Sequence, residues 1–112
     1  MAKVVFSPLA QADMDETAGY MENILHNPAA ARRFVENMKR QTLALREFPK
    51  MGTPIYNEDS KTDYRRLVCG NYIAVYHIMA DAVYIDRVLY GRRNYLALLF
   101  GDQQDQDEEE DP

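Results

Sequence analysis

The stretch YRRLVCGNYIAVYHIMADAVYIDRVLYGRRNYLALLF, residues 64–100, decides the fold of this protein. Two short connections, Gly70-Asn71 and Ala80-Asp81, divide it into runs that are rich in β-branched and aromatic residues. Two-residue connections between such runs are typical of β-hairpins. We therefore predict three antiparallel strands followed by a short C-terminal helix. The predicted strands are Tyr64–Cys69, Tyr72–Met79 and Ala82–Tyr90.

The middle strand indicates that both faces of this sheet are covered. One face carries Tyr72, Ala74, Tyr76 and Ile78, and the other carries Ile73, Val75, His77 and Met79. A sheet with one wet face alternates more sharply between apolar and polar residues. We expect a helical hairpin on one face and either the C-terminal helix or a partner on the other.

Two helix start signals upstream predict the hairpin. Ser7-Pro8 and Asn27-Pro28 each place an N-cap residue before a proline, which favours the first helical position. Apolar residues then recur at three-and-four spacing, to about His26 in the first helix and about Glu47 in the second. The short connection makes the two helices antiparallel.

The remaining elements complete the fold class. A short strand, Lys3–Phe6, precedes the helices, and the proline-rich segment Phe48–Pro54 follows them as a loop that continues through the polar residues 57–63. The predicted class is α+β, with the order β-α-α-β-β-β and a short C-terminal helix. The helical hairpin packs on a small, mainly antiparallel sheet.

Charge is distributed unevenly along the chain. The net charge is −5, but Asp102–Pro112 holds seven of the eighteen acidic residues and no basic one, which leaves eleven acidic and thirteen basic residues in 1–101. We predict one folded domain, 1–101, and a disordered acidic tail, 102–112. An alternative for the tail is that it folds over an arginine-rich surface as a phosphate mimic.

The composition also argues against several classes of protein. No apolar run is long enough to span a membrane, and the N-terminus lacks the charged start and long apolar centre of a signal peptide. The single cysteine, Cys69, cannot form an internal disulfide and fits a reducing cytosol. We expect it to be a small buried hydrophobic residue, because no metal-ligand partner lies at useful spacing. We predict no metal site and no cofactor.

Taken together, these features resemble the RelE/ParE toxin superfamily of bacterial toxin–antitoxin modules. The resemblance covers about residues 3–99 and rests on the Ser-Pro helix start, the Asn-Pro helix junction, the Phe-Pro-x-x-Gly break and the ending RVLYGRRNY. It implies a cytoplasmic protein that arrests growth when free. It also implies a cognate antitoxin that holds the protein inactive in a hetero-oligomer, covering the sheet and the C-terminal segment.

The superfamily contains two activities, and the resemblance leaves both open. RelE-like members enter the ribosomal A site and cut mRNA, whereas ParE-like members keep the fold and poison DNA gyrase. We take ribosome-dependent, metal-independent mRNA cleavage as the first hypothesis and gyrase inhibition without catalysis as the alternative. A third hypothesis is an inactive homologue that retains antitoxin binding.

The resemblance also implies site residues. Ribonuclease-type members carry arginines at the start of the second strand and just after the last strand, together with a Tyr or His near the C-terminus. The arginines stabilise the charge of the phosphorane. This implies nucleic-acid binding by Arg65, Arg66, Arg92 and Arg93, with Arg66 and Arg93 as candidate catalytic residues. The meander by itself places the two arginine pairs at opposite ends of the sheet, whereas the superfamily groups them on one surface.

The proton-transfer group is the point at which this sequence departs from the superfamily. The position of the C-terminal tyrosine falls near the apolar residues 98–100. Tyr95 and His77 are the remaining catalytic candidates, since histidine is the usual acid–base side chain near neutral pH. A mid-strand histidine is nevertheless more often structural, and His26 is more readily explained as a partner of a helix dipole.

The six tyrosines of 64–100 either pack in the core or stack on bases.

Overall fold

The computed structural model describes residues 2–91 and 95–101, with the backbone alone at Tyr95. Its elements follow the predicted order, with one additional strand. They are β1 (Lys3–Phe6), α1 (Pro8–Asn23), α2 (Pro28–Leu43), a 3₁₀ turn (Ala44–Arg46), β2 (Thr53–Asn57), β3 (Ser60–Cys69), β4 (Tyr72–Met79), β5 (Ala82–Tyr90) and α3 (Tyr95–Phe100). Arg92, Arg93 and the acidic tail lie outside the described residues.

The five strands form one mixed sheet in the order β1-β5-β4-β3-β2. β1 pairs with β5 in parallel, and the other three pairings are antiparallel. β3 and β5 therefore flank β4 and run in the same direction, which confirms the predicted meander. The α+β class with a helical hairpin and a short C-terminal helix is also confirmed.

The prediction of a loop from Phe48 through residue 63 is wrong from residue 53 onward. β2 and the first part of β3 occupy this segment, and Glu58, with a φ of 59°, turns the chain between them. Polar residues are compatible with strands here because β2 is an edge strand and the start of β3 is exposed to solvent. The pair Arg65-Arg66 consequently lies in the middle of β3 and not at its start.

Both helices begin where the sequence predicts. The Ser7 hydroxyl accepts a hydrogen bond from the Ala10 N–H at 3.0 Å, and Asn27 Oδ1 accepts one from the Ala30 N–H at 3.0 Å. Each bond satisfies one of the main-chain donors that a helix start leaves without an intrahelical partner. The two Ser/Asn-Pro signals are therefore true N-caps.

Both helices end earlier than predicted. α1 ends at Asn23 and α2 at Leu43, before His26 and Glu47. His26 adopts a left-handed φ of 54°, a conformation that terminates a helix. After α2 the chain tightens into the turn Ala44–Arg46 before it enters the loop.

Apolar side chains pack on both faces of the sheet, as predicted. The core between the helical hairpin and the sheet contains the buried residues Ala10, Met14, Phe34, Met38, Leu45, Leu67, Cys69, Ala74, Tyr76, Val83, Ile85 and Val88. The face turned away from the hairpin, which we call the outer face, carries a cluster of Ile55, Ile73, Val75 and Leu89.

Cys69 is buried, as expected, and burial raises the pKa of its thiol to about 11. Within residues 2–91 and 95–101, no helix has the length and apolar character needed to cross a membrane.

Candidate functional site on the outer face of the sheet

A hydrogen-bonded histidine–aspartate pair lies on the outer face. His77 Nδ1 is 2.7 Å from Asp86 Oδ2, which joins β4 to β5. The side chains are 27% and 23% exposed, so both reach solvent. Val75 belongs to the outer-face cluster, and His77, two residues along β4, shares that face because side chains alternate along a strand.

Two tyrosines flank His77 on the neighbouring strands. Tyr64 of β3 and Tyr84 of β5 are its cross-strand partners. The Tyr84 ring stacks on the imidazole with centroids 5.3 Å apart and an interplanar angle of 18°, whereas Tyr64 meets it edge-on at 6.1 Å. The candidate residue His77 therefore lies in an aromatic row that crosses three strands.

Sequence reasoning missed Asp86, although a signal was available. The Ala80-Asp81 turn sets His77 opposite Tyr84 and leaves Asp86 two residues farther along β5, on the same face. The register then shifts, because Tyr76 pairs with Ile85 but Val75 pairs with Arg87. Asp86 is thus the additional residue of a β-bulge, a feature that re-aims a side chain.

Burial and the mutual hydrogen bond affect both members of the His77–Asp86 pair. Burial raises the pKa of the Asp86 carboxyl, and the hydrogen bond and charge of His77 only partly offset this rise. When Nδ1 carries the imidazole hydrogen, it donates to Asp86 and leaves Nε2 as the basic nitrogen. An imidazole oriented by a carboxylate in this way can act as a general base.

Arg66 shares the outer face with His77. Arg66 pairs with Val75 and lies two residues along β3 from Tyr64, the partner of His77. Strand geometry puts the Cα atoms of Arg66 and His77 about 8 Å apart. Two of the predicted site residues are therefore brought together. The predictions for Arg92, Arg93 and the side chain of Tyr95 fall outside the described residues.

Arg65 contacts the loop before β2. Its Nη1 donates hydrogen bonds to the carbonyl oxygens of Lys50 at 3.1 Å and Gly52 at 2.6 Å. Hydrogen bonds from a charged donor are stronger than neutral ones. Arg65 therefore stabilises this loop, and its binding to nucleic acid stays a prediction.

Tyr76 holds the same loop from the core. Its buried hydroxyl accepts a hydrogen bond from the Gly52 N–H at 2.9 Å and donates one to the Pro49 carbonyl at 2.7 Å. A Cβ on Gly52 would lie 2.6 Å from the Arg66 carbonyl oxygen and 2.7 Å from Tyr76 Oη. Only glycine fits there, which explains the final residue of the Phe-Pro-x-x-Gly motif.

α3 covers one part of the outer face. Its apolar residues Leu96, Leu99 and Phe100 pack against the cluster that contains Val75. The Phe100 ring also meets Tyr64 edge-on, with centroids 5.8 Å apart. This part of the outer face is filled by apolar contacts, whereas the side chains of His77 and Asp86 remain partly exposed.

An ion pair that sequence reasoning did not identify ties α1 to the sheet. Arg87 donates from Nε and Nη2 to the two carboxylate oxygens of Asp13 at 2.8 and 2.9 Å. Asp13 also accepts the Val88 N–H at 2.9 Å, at a part of β5 that lies beyond its pairing with β1. The hydrogen bond that Arg87 donates to the Asp13 carboxylate raises the pKa of the guanidinium.

A family model described as the ParE toxin of the type II toxin–antitoxin system parDE matches residues 4–95. This chain belongs to the ParE toxin family. The ParE match spans both helices of the hairpin and, except for Lys3, all five strands, and it confirms the resemblance to the RelE/ParE toxin superfamily.

A solved structure has the same ParE-like fold. It is described as the chromosomal ParDE TA system from P. aeruginosa, and one of its chains matches with a TM-score of 0.68 at 20% sequence identity. The match covers 80% of this ParE-family chain and 96% of the other. No curated protein sequence matches the chain. No cluster of three or more His, Cys, Asp or Glu side chains suited to a metal occurs in the described part of this ParE-type toxin.

Proposed function

We propose that this protein is the growth-arresting toxin of a type II toxin–antitoxin module and that it acts by inhibiting DNA gyrase. The observation that carries the choice of gyrase is the packing of α3 on the outer face. Leu96, Leu99 and Phe100 fill the region beside Val75, the cross-strand partner of Arg66. A nuclease needs this side of the sheet open to its polyanionic substrate.

The environment of Arg65 supports the same choice. A phosphate-binding arginine presents its planar fork of donors to the ligand. Arg65 directs Nη1 to two main-chain carbonyls instead. An inhibitor that acts by binding requires neither an open cationic groove nor a proton-transfer group, so these features are compatible with gyrase inhibition.

An antitoxin is the second element of the proposal. Toxins of this family are encoded with an antitoxin, and membership of the family supports a hetero-oligomer of the two proteins in the cytoplasm, where gyrase acts. The predicted coverage of the sheet and the C-terminal segment remains part of this proposal. Exposed apolar side chains, such as Val68 and Phe48, offer contact area to such a partner.

A supercoiling assay tests the target. Purified, antitoxin-free protein is titrated into a reaction of gyrase, relaxed plasmid and ATP, and loss of supercoiled product is the expected result. Relaxation of the same plasmid by a type I topoisomerase is the control and should proceed at every concentration. Full supercoiling in the presence of a large molar excess of folded protein would contradict the proposal.

Ribosome-dependent mRNA cleavage is the second candidate function, and one observation favours it. His77, oriented by Asp86 at 2.7 Å, lies on the same face as Arg66. A general base and a cation are two of the groups that cleavage through the 2′-hydroxyl requires. In this candidate His77 accepts the hydroxyl proton and Arg66 stabilises the charged phosphorane, with Arg93 and Tyr95 as the remaining predicted groups.

A reconstituted translation reaction distinguishes the two candidates. The 5′ ends of the message are mapped after addition of the protein, with and without ribosomes. Gyrase inhibition predicts an intact message. Cuts that appear only on translated message would replace it with the nuclease candidate. His77→Ala would then lower cleavage by about 10²–10⁴-fold, while Tyr20→Ala, on the opposite side of the molecule, is the matched control.

A further inference from the structure

The two helices of the hairpin carry opposite charge. The acidic residues of α1 are Asp13, Asp15, Glu16 and Glu22, and the helix contains no lysine or arginine. The basic residues of α2 are Arg32, Arg33, Lys39 and Arg40, against the single acidic residue Glu36. The charged residues of the hairpin are therefore acidic on α1 and mainly basic on α2.

Most of these charged side chains are exposed and do not form ion pairs between the two helices. Asp13 is bound by Arg87, but Asp15, Glu16 and Glu22 are exposed, as are all four basic residues of α2. Among the residues that the structure describes, no ion pair joins α1 to α2. The attraction between the two sets of charges is therefore available to another molecule.

Apolar side chains lie among these charges. Leu9 and Tyr20 of α1 are 60% and 53% exposed, Ile24 at the end of α1 is 61% exposed, and Leu43 of α2 is 52% exposed. Only Ala10 and Met14 of the sixteen residues of α1 are fully buried. A helix that leaves so much apolar surface in water has a second face to cover.

The positions of these residues suit a two-fold axis parallel to the helices. Such an axis sets α1 of one copy over α2 of the other and preserves the level of each residue along the axis. Because the helices are antiparallel about residues 24–27, Leu9 and Leu43 lie within about 2 Å of the same level. Along the axis, the levels of Glu16 and Glu22 each differ by less than about 8 Å from that of a basic pair of α2, an offset that long side chains can span.

We propose that two copies of this chain associate through their hairpins, with the acidic α1 of each copy against the basic α2 of the other. The symmetry is isologous, so each protomer contributes both halves of the contact. Two helices of sixteen residues are each about 24 Å long and about 10 Å wide, which gives a total buried area of roughly 1,000 Å². This is the lower limit for a specific interface, and the dimer is therefore weak and sensitive to salt. The inference does not depend on the proposed inhibition of gyrase.

Charge reversal in a mixing experiment tests the dimer. The full-length, antitoxin-free chain is studied by sedimentation velocity over a range of micromolar concentrations, at about 0.05 M and about 0.5 M salt. One variant carries Glu16→Lys and Glu22→Lys, and the other carries Arg32→Glu and Arg33→Glu. Each variant alone is expected to dimerise at least about tenfold more weakly than the wild type, because like charges now face each other. Circular dichroism verifies that both variants are folded.

The mixture of the two variants is the decisive measurement. In a mixed pair, lysine faces glutamate on one side of the axis and glutamate faces arginine on the other, so the heterodimer should form about as well as the wild-type dimer. Restored association in the mixture supports the proposal, and a general loss of folding does not produce it. A wild type that stays monomeric at low salt, variants that dimerise like the wild type, or a mixture that stays monomeric would each overturn it.

Discussion

His77 Nδ1 lies 2.7 Å from Asp86 Oδ2 and joins the antiparallel strands β4 and β5 on the face opposite the helical hairpin. The contact exists because one additional residue in β5 shifts the register after His77 and its partner Tyr84. It combines a partly buried carboxyl with an imidazole whose second nitrogen is left for other chemistry. The pair is therefore both a structural link between strands and the best placed acid–base group in the described part of the chain.

The stability of the protein should depend on the titration of Asp86. Burial raises the pKa of this carboxyl in the folded state. Its stabilising contribution is therefore fully present below the ordinary Asp pKa of about 4 and is lost as the pH rises through the folded-state value. The free energy of unfolding of the wild type, relative to Asp86→Asn, should fall as the pH rises from below the ordinary Asp pKa through the raised folded-state value. Urea unfolding of both proteins measures this difference, and a difference that rises with pH would mean that the attraction of His77 outweighs burial.

The Tyr76 hydroxyl should be a major source of loop stability. Tyr76→Phe removes a donor to Pro49 and an acceptor for the Gly52 N–H in a buried site. The expected loss is about 1–3 kcal/mol in the free energy of unfolding, because a buried polar group is left without a partner. Tyr56→Phe is the matched control, since Tyr56 is exposed and should change stability by less than about 0.5 kcal/mol. Equal effects of the two substitutions in urea unfolding would contradict this account.

Two glycine-to-alanine substitutions should act in opposite directions. In Gly52→Ala the new Cβ would lie 2.6 Å from a main-chain oxygen, so the substitution should cost at least about 2 kcal/mol. In Gly19→Ala the nearest atom is 4.0 Å away, within α1, so the higher helix propensity of alanine should stabilise the protein by about 0.5–1 kcal/mol. Melting temperatures measured by calorimetry should therefore move in opposite directions. A stable Gly52→Ala protein would show that the loop can move away from β3 and Tyr76.

Loss of the Asp13 carboxylate should loosen α1 from the sheet. Asp13→Ala leaves the Arg87 guanidinium and the Val88 N–H without their partner in a partly buried site. The expected cost is about 2–4 kcal/mol. Asp15 is exposed and lies two residues farther along the same helix. Asp15→Ala should therefore cost less than about 0.5 kcal/mol. Hydrogen exchange adds a local measurement, because the Val88 amide should lose protection in Asp13→Ala and keep it in Asp15→Ala.

The thiol of Cys69 should be inert in the folded protein. It is buried and burial raises its pKa to about 11, so little thiolate forms at neutral pH and reagents have little access. Labelling with a disulfide reagent should be slow in native buffer and should reach completion in about 6 M guanidinium, where the chain is unfolded. Rapid labelling without denaturant would indicate local opening between β3 and the hairpin.

Much of the fold could be predicted from the sequence because its signals are local. Ser7 and Asn27 cap the two helices, and each is followed by a proline at the first helical position. The connections at 70–71 and 80–81 are hairpin turns between paired strands. The mixed polarity of β4 correctly indicated cover on both faces. The local signals misled at residues 53–63, which were predicted as a loop, because exposure at the edge of the sheet allows such residues to form strands.

The candidate site was less accessible to sequence reasoning. His77 and Arg66 were identified, and the structure brings them to one face. Asp86 was missed because its contact depends on a register shift, and the Arg87–Asp13 pair was missed because its residues are 74 positions apart. The loop contacts of Arg65 likewise depend on where the chain before β2 folds back.

The sequence by itself determined the class of this protein, since helix caps, two-residue turns and hydrophobic periodicity are each satisfied within a few residues. It also supported membership of a toxin superfamily, which the ParE family match confirms. Only the tertiary structure decided which polar groups meet, such as His77 with Asp86, Tyr76 with Gly52 and Asp13 with Arg87. The physical reason is that a buried donor or acceptor must find a partner wherever the chain supplies one, and that partner is defined only after the sheet register and the packing of α1 are complete.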